Sequence, residues 1–232
     1  MFSIIQAAGW PIWPLLLCSV VALALIIERV VSLRAARVAP PSLIEEVLGV
    51  TQLQIPSGEV VGKLAENSLL GQVLAAGLRA SQADPRAGEA RLRQAFELAG
   101  RHAIHQMERY LNTLGTIAAA APLLGLLGTV VGMIEIFGSQ SPNGNNPALL
   151  AHGISIALYN TAFGLIVAIP SLMFYRYFRG RIEAYVVDME QASERLLTHL
   201  ANRAMPGTGA ANSGPVTVPP PVAAPAQGKA KA

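Results

Sequence analysis

The stretch Leu114-Gly-Thr-Ile-Ala-Ala-Ala-Ala-Pro-Leu-Leu-Gly-Leu-Leu-Gly-Thr-Val-Val-Gly-Met-Ile-Glu-Ile-Phe137 carries a single ionisable residue, Glu135, close to its end. A helix rises about 1.5 Å per residue, so about 20 apolar residues cross the hydrocarbon core of a bilayer. Two other runs have the same character. Ile12–Val31 is opened by Trp10, Pro11, Trp13 and Pro14 and closed by Glu28-Arg29; Leu149–Phe174 is ended by Tyr175-Arg176-Tyr177. The fold class is therefore an all-α integral membrane protein with three transmembrane helices.

Composition agrees. Apolar residues make up 52% of the chain and charged residues 13%, against about 25% charged in ordinary globular domains. The charges are segregated: residues 1–27 have none, 110–175 have only Glu135, and Glu28–Arg109 hold 19. A soluble globular enzyme and a disordered chain are both excluded. The arginines are scattered beside apolar runs instead of forming one basic face, so the net charge of +3 reflects membrane topology and not nucleic-acid binding. Cys18, the sole cysteine, lies inside an apolar run and can form neither an intramolecular disulfide nor a cysteine-cluster metal site.

All 17 Lys and Arg fall in 29–109 or 176–231. Basic residues are retained on the cytoplasmic side during insertion. The expected order is an external stretch 1–11, a first span 12–33, a cytoplasmic helical segment 34–113 and a second span 114–137. An external connection 138–148, rich in turn residues, leads to a third span 149–175, a cytoplasmic helical extension 176–204 and a disordered tail 205–232. No Lys or Arg precedes the first apolar run, so it reads as an uncleaved anchor and not as a signal peptide. Trp10, Trp13, Glu28 and Arg29 are the interface anchors of that span.

In the segment after the first span, Asp84-Pro85 predicts a helix start, with the helix running from Arg86 to Tyr110 directly toward the second span. Leu92, Ala95, Phe96, Ala99 and Ala103 form one stripe on it. The third span continues past Arg176 through Ile182, Tyr185, Met189, Leu196 and Leu200, so both helices should project from the bilayer and pack together. Shorter helices should fill 35–82. Pro170 is expected to bend the third helix.

Catalytic chemistry is missing. The chain has no phosphate-binding Gly-x4-Gly-Lys-Ser/Thr loop and no Gly-x-Ser-x-Gly elbow, and its four histidines, His102, His105, His152 and His199, form no metal box. No enzyme activity, metal or cofactor is expected.

The second and third spans instead carry small residues. Thr129 shares a helix face with Gly125, Gly132 and Pro122, and Thr161 shares one with Ala157, Gly164, Ala168 and, less squarely, Ile154. Small residues let helices approach closely, so one reading is tight packing, with each threonine bonding its own helix. The other is a narrow polar lumen lined by two hydroxyls, each able to donate and accept. Composition leaves both open.

Several strings here resemble a known family. Pro122-Leu-Leu-Gly-Leu-Leu-Gly-Thr-Val-Val-Gly-Met-Ile134, His152-Gly-Ile-Ser-Ile-Ala-Leu-Tyr-Asn-Thr-Ala-Phe-Gly-Leu165 and Ala168-Ile-Pro170 are similar to the MotA/TolQ/ExbB proton channel family. Gly9-Trp-Pro-Ile-Trp-Pro-Leu-Leu-Leu-Cys18 and Ile27-Glu-Arg-Val30 look most like its ExbB branch. The resemblance implies a pentameric homo-oligomeric ring in the bacterial inner membrane, N-terminus periplasmic and C-terminus cytoplasmic. That ring would surround an ExbD-like single-span partner with a membrane aspartate, and would drive outer-membrane import through a TonB-like protein. It places Thr129 and Thr161, with Gly125, Gly132, Ala157 and Gly164, along the proton pathway, and makes Glu135 a candidate proton entrance or a headgroup contact. Some relatives carry a glutamate early in the third span where this chain has Ile156, so the titrating acid is expected from the partner. TolQ-like stators of envelope integrity and a passive scaffold are the other readings; MotA relatives have four spans.

Overall fold

The computed structural model describes residues 10–53, 56–84, 88–138 and 147–204. These form eight helices: α1 Ile12–Ser32, α2 Ala35–Val38, α3 Leu43–Leu53, α4 Gly58–Asn67, α5 Leu69–Ala83, α6 Glu89–Glu108, α7 Leu111–Gly138 and α8 Pro147–Ala204. No strand occurs among the described residues. Three regions are long and apolar enough to cross a membrane, within Ile12–Ser32, Glu89–Gly138 and Gly153–Asn202. The turn residues expected between the second and third spans and the tail beyond Ala204 lie outside the described residues, apart from Gly138, Pro147 and Ala148.

Helix α8 has 58 residues, or about 87 Å at about 1.5 Å per residue. A bilayer with its headgroups is about 40–45 Å thick, so a large part of α8 must stand outside it. That part has a buried stripe of Phe178, Ile182, Tyr185, Met189, Ala192, Leu196 and Leu200 at three- and four-residue spacing. The stripe packs on Leu92, Phe96, Ala103 and Met107 of α6 and on Val73, Leu74 and Leu78 of α5, forming one continuous core. A Cβ at Gly77 would run into the Phe96 ring, so α5 and α6 touch only because this position has no side chain. Ser68 caps α5 by accepting a hydrogen bond from the Gly71 amide at 3.0 Å.

Two details differ from the sequence reading. The Asp84 amide donates to the Ala80 carbonyl, so Asp84 closes α5 instead of opening the next helix; α6 starts at Glu89, after Gly88. The helix also does not run unbroken into the second span. It stops at Glu108 and resumes at Leu111. Pro122 and Pro170 both lie inside continuous helices.

Candidate functional site

Helices α7 and α8 run antiparallel and meet along a seam of small residues. A Cβ at Gly125 would approach the Asn160 carbonyl oxygen at 2.8 Å, Thr161 Cα at 3.1 Å and Gly164 Cα at 3.3 Å. One at Gly164 would approach the Ala121 carbonyl oxygen at 2.7 Å, and one at Gly128 the Asn160 side chain at 2.8 Å. One at Gly132 would meet Ala157 Cβ at 3.4 Å, an ordinary contact. Gly125, Gly164 and Ala157 are buried. Gly125, Gly128 and Gly164 therefore set the distance between two helices of one chain, the close approach that small side chains permit when lipid is as apolar as leucine.

The threonines lie beside this seam. Thr129 and Thr161 each stand one position past a seam residue, Gly128 and Asn160. In antiparallel helices equal offsets in chain direction fall on the same side of the pair, so both hydroxyls flank the same edge. Helix α1 packs against the pair seven and eight residues along from the threonines, where Leu15 meets Ala121 and Ala168 with Leu124, Phe163 and Val167 around it. At about 100° per residue, Thr161 points roughly opposite to Phe163 but lies only about 20° from Ala168, and Thr129 lies about 140° round from Leu124. The threonine edge is left open in the single chain: both threonines are half-buried, and Leu126 and Leu158 beside them are 55% and 62% exposed. The Thr129 hydroxyl donates to the Leu126 carbonyl at 2.7 Å. The Thr161 hydroxyl reaches across the seam to the Gly125 carbonyl oxygen at 3.5 Å.

Glu135 is exposed in the last turns of α7. It is six residues from Thr129, about 120° away round the helix, and does not share the threonine edge. Ile156 falls within α8; its side chain, like that of His152, lies outside the described residues.

The anchors of the first span divide. Trp10 and Trp13 are 58% and 67% exposed, as rings at a membrane interface are. Arg29 is not a surface anchor; it is only 3% exposed. Its guanidinium donates to the Met107 carbonyl at 2.6 Å and to Glu28 at 2.6 Å, and lies 5.2 Å from the Tyr110 ring centroid. It thus fastens the end of α1 to the break between α6 and α7. Burying the charge is tolerable because the fork finds a carboxylate, a carbonyl and an aromatic face. Sequence reading missed this because the partner lies 78 positions away; a lone arginine closing an apolar run was the only signal.

Among the described residues no group of three or more His, Cys, Asp or Glu is placed to hold a metal ion.

Comparison with known proteins follows the same lines. A model of the MotA/TolQ/ExbB proton channel family matches residues 65–191. Biopolymer transport protein exbB1 of Vibrio cholerae is 31% identical over 170 residues, covering 72% of this chain and 74% of the relative. An ExbB-like biopolymer transport protein of Synechocystis is 33% identical over 195 residues, covering 82% of this chain and 90% of the relative. The Tol-Pal system protein TolQ of Haemophilus influenzae is 34% identical over 166 residues, covering 64% of this chain and 72% of the relative. With a family match over more than half of its length and relatives aligned across most of theirs, this three-span helical chain belongs to the MotA/TolQ/ExbB proton channel family.

Proposed function

We propose that this chain is an ExbB-like stator subunit of an inner-membrane motor that uses the proton motive force to energise outer-membrane import through a TonB-like protein. Five copies form a ring around the single spans of an ExbD-like partner. The N-terminus and the 138–148 connection are periplasmic; residues 34–113 and the C-terminus are cytoplasmic, which is where every Lys and Arg lies except Arg29, at the inner end of the first span. The observation that carries this reading is the position of Thr129 and Thr161 on the same side of the α7–α8 seam, half-buried beside the exposed Leu126 and Leu158.

The chemistry follows from that edge. An ionised carboxylate at mid-membrane is costly, whereas a neutral acid with a hydrogen-bond partner is far cheaper. The Thr129 proton is already committed to the Leu126 carbonyl. Its oxygen keeps lone pairs that can accept a hydrogen bond from a carboxylic acid, but it has no proton left to donate to a carboxylate. A net hydrogen bond of about 0.5–1.5 kcal/mol therefore favours the partner's aspartate in its neutral form. Protonation lets the partner span turn past an apolar wall that its charged form cannot cross. Each proton crossing supplies about 2.3 kcal/mol per 100 mV of membrane potential. Gly125 and Gly164 act from behind, holding the two helices close so that the hydroxyls share one edge, and Gly132 and Ala157 continue that seam in ordinary contact. Glu135, away from that edge, meets headgroups.

The test is Thr129→Val and Thr161→Val, singly and together, in the co-expressed complex with ring assembly monitored. The expected outcome is an assembled complex whose TonB-dependent uptake falls at least tenfold in the double variant. Normal uptake by an assembled double variant refutes the pocket and favours a passive scaffold. A TolQ-like role in envelope integrity is the second reading, supported by the match to the Haemophilus protein; ExbB names predominate among the similar proteins. Rescue of an envelope-integrity defect, with no rescue of import, would decide for it.

A further inference from the structure

A cavity of about 280 Å³ opens where the polar end of α1 meets the middle of α8, lined by Arg29, Leu33, Arg34, Tyr177, Phe178 and Arg181. Three guanidinium groups line it and no acid does. Arg29 has its own carboxylate, Glu28. Arg34 has no ion pair among the described residues, and Arg181 donates only to the Tyr185 hydroxyl, at 2.7 Å. Some exposed arginines elsewhere are neutralised, Arg93 by Glu194 at 3.2 Å, Arg179 by Glu183 at 3.2 Å and Arg195 by Glu45 at 2.8 Å; Arg37, Arg79, Arg109 and Arg176 are exposed with no ion pair among the described residues but do not line this cavity. The cavity thus holds positive charge that the chain does not satisfy.

Its surroundings are those of a lipid surface. The α1 span is the least enclosed of the three, with 17% of its most apolar window buried. Ile27, Val30 and Val31 lead down exposed α1 to the cavity, and Tyr177, also exposed, stands at its rim.

We propose that this cavity binds the phosphate headgroup of an anionic phospholipid, with Arg34 and Arg181 holding the phosphate and the acyl chains lying along exposed α1. Planar guanidinium groups match phosphate oxygens in bidentate fashion, and basic recesses between membrane helices recognise such headgroups. The apolar approach commits the site to a lipid over free phosphate, which has no use for Ile27 or Val31. Because the Tyr185 hydroxyl, bonded by Arg181, donates to the Leu33 carbonyl at 2.9 Å, the bound lipid also joins the end of α1 to α8.

The test is lipid retention by the purified full-length oligomer, followed by native mass spectrometry after exchange into equal amounts of phosphatidylglycerol and phosphatidylcholine. Wild type is expected to retain phosphatidylglycerol at least fivefold over phosphatidylcholine, and Arg34→Gln with Arg181→Gln to bring that ratio close to one. Arg101→Gln, distant on α6, leaves it unchanged. Millimolar inorganic phosphate does not displace the lipid. Equal retention of the two lipids by wild type overturns the proposal, whatever the folding of the variant. So does an undiminished preference in the double variant, or displacement by phosphate, which marks a free-anion site instead.

Discussion

Adding one methyl group at Gly125 tests whether the α7–α8 seam is as tight as its geometry states. The new Cβ would lie 2.8 Å from the Asn160 carbonyl oxygen and 3.1 Å from Thr161 Cα, both backbone atoms. Backbone cannot rotate away, so the helices must separate. Overpacking of this kind costs about 1–3 kcal/mol. Alanine's helix propensity does not offset it: within the membrane the separated helices remain helical, because lipid offers their backbone no other partner. The steric term stands alone. Gly132→Ala is the matched control, since its Cβ would meet Ala157 Cβ at an ordinary 3.4 Å; it should be neutral within about 0.5 kcal/mol. Gly164→Ala, aimed at the Ala121 carbonyl oxygen at 2.7 Å, should resemble Gly125→Ala. The double variant Gly125→Ala with Gly164→Ala should lose less than the sum, because both separate the same pair of helices. Thermal unfolding of the purified oligomer in one detergent, with oligomer size checked, reads all four. Equal loss from Gly132→Ala and Gly125→Ala, or no loss from the latter, would refute the seam.

Arg29→Gln removes a buried charge-assisted hydrogen bond to the Met107 carbonyl, an interaction of about 1.5–3 kcal/mol. It should lower the melting temperature and speed proteolysis at the α6–α7 break, and Arg29→Lys should restore only part, because a point ammonium cannot serve Glu28 and Met107 with one rigid fork. Phe178→Ala opens the core where α8 leaves the membrane, at a side chain only 1% exposed, and should cost about 3–5 kcal/mol by thermal unfolding. Glu194→Gln breaks an exposed pair with Arg93 and should change stability by less than about 1 kcal/mol; a larger loss would show that this pair is not exposed in the assembled ring.

The spans were legible from sequence because a bilayer imposes one simple requirement, an uncharged run long enough to cross it, and three runs meet it. The stripe of Leu92, Phe96 and Ala103 was legible because α6 faces water on one side and core on the other, so its periodicity reports burial. Helix α7 gave no such signal. It is apolar on every side, since lipid and protein neighbours both accept leucine, and pattern alone cannot say which face meets which partner. Its small residues were visible; that Gly125 and Gly164 lie within the seam while Thr129 and Thr161 flank its open edge was not. The helix start misread at Asp84 has a local cause: a capping acid before proline competes with the end of the preceding helix, and the Asp84 amide bonds back to Ala80.

Sequence by itself determined that the chain is helical, carries three runs long and apolar enough to cross a membrane, keeps nearly all its charges outside them and belongs with proteins carrying the same threonine-bearing strings. Only the tertiary structure decided which residues of the α7–α8 pair α1 packs against, and that Arg29 reaches Met107 across 78 positions. The reason is the same for both. Hydropathy is a property of each residue against its solvent, whereas the choice among equally apolar neighbours is made by fit between particular side chains once the helices have met.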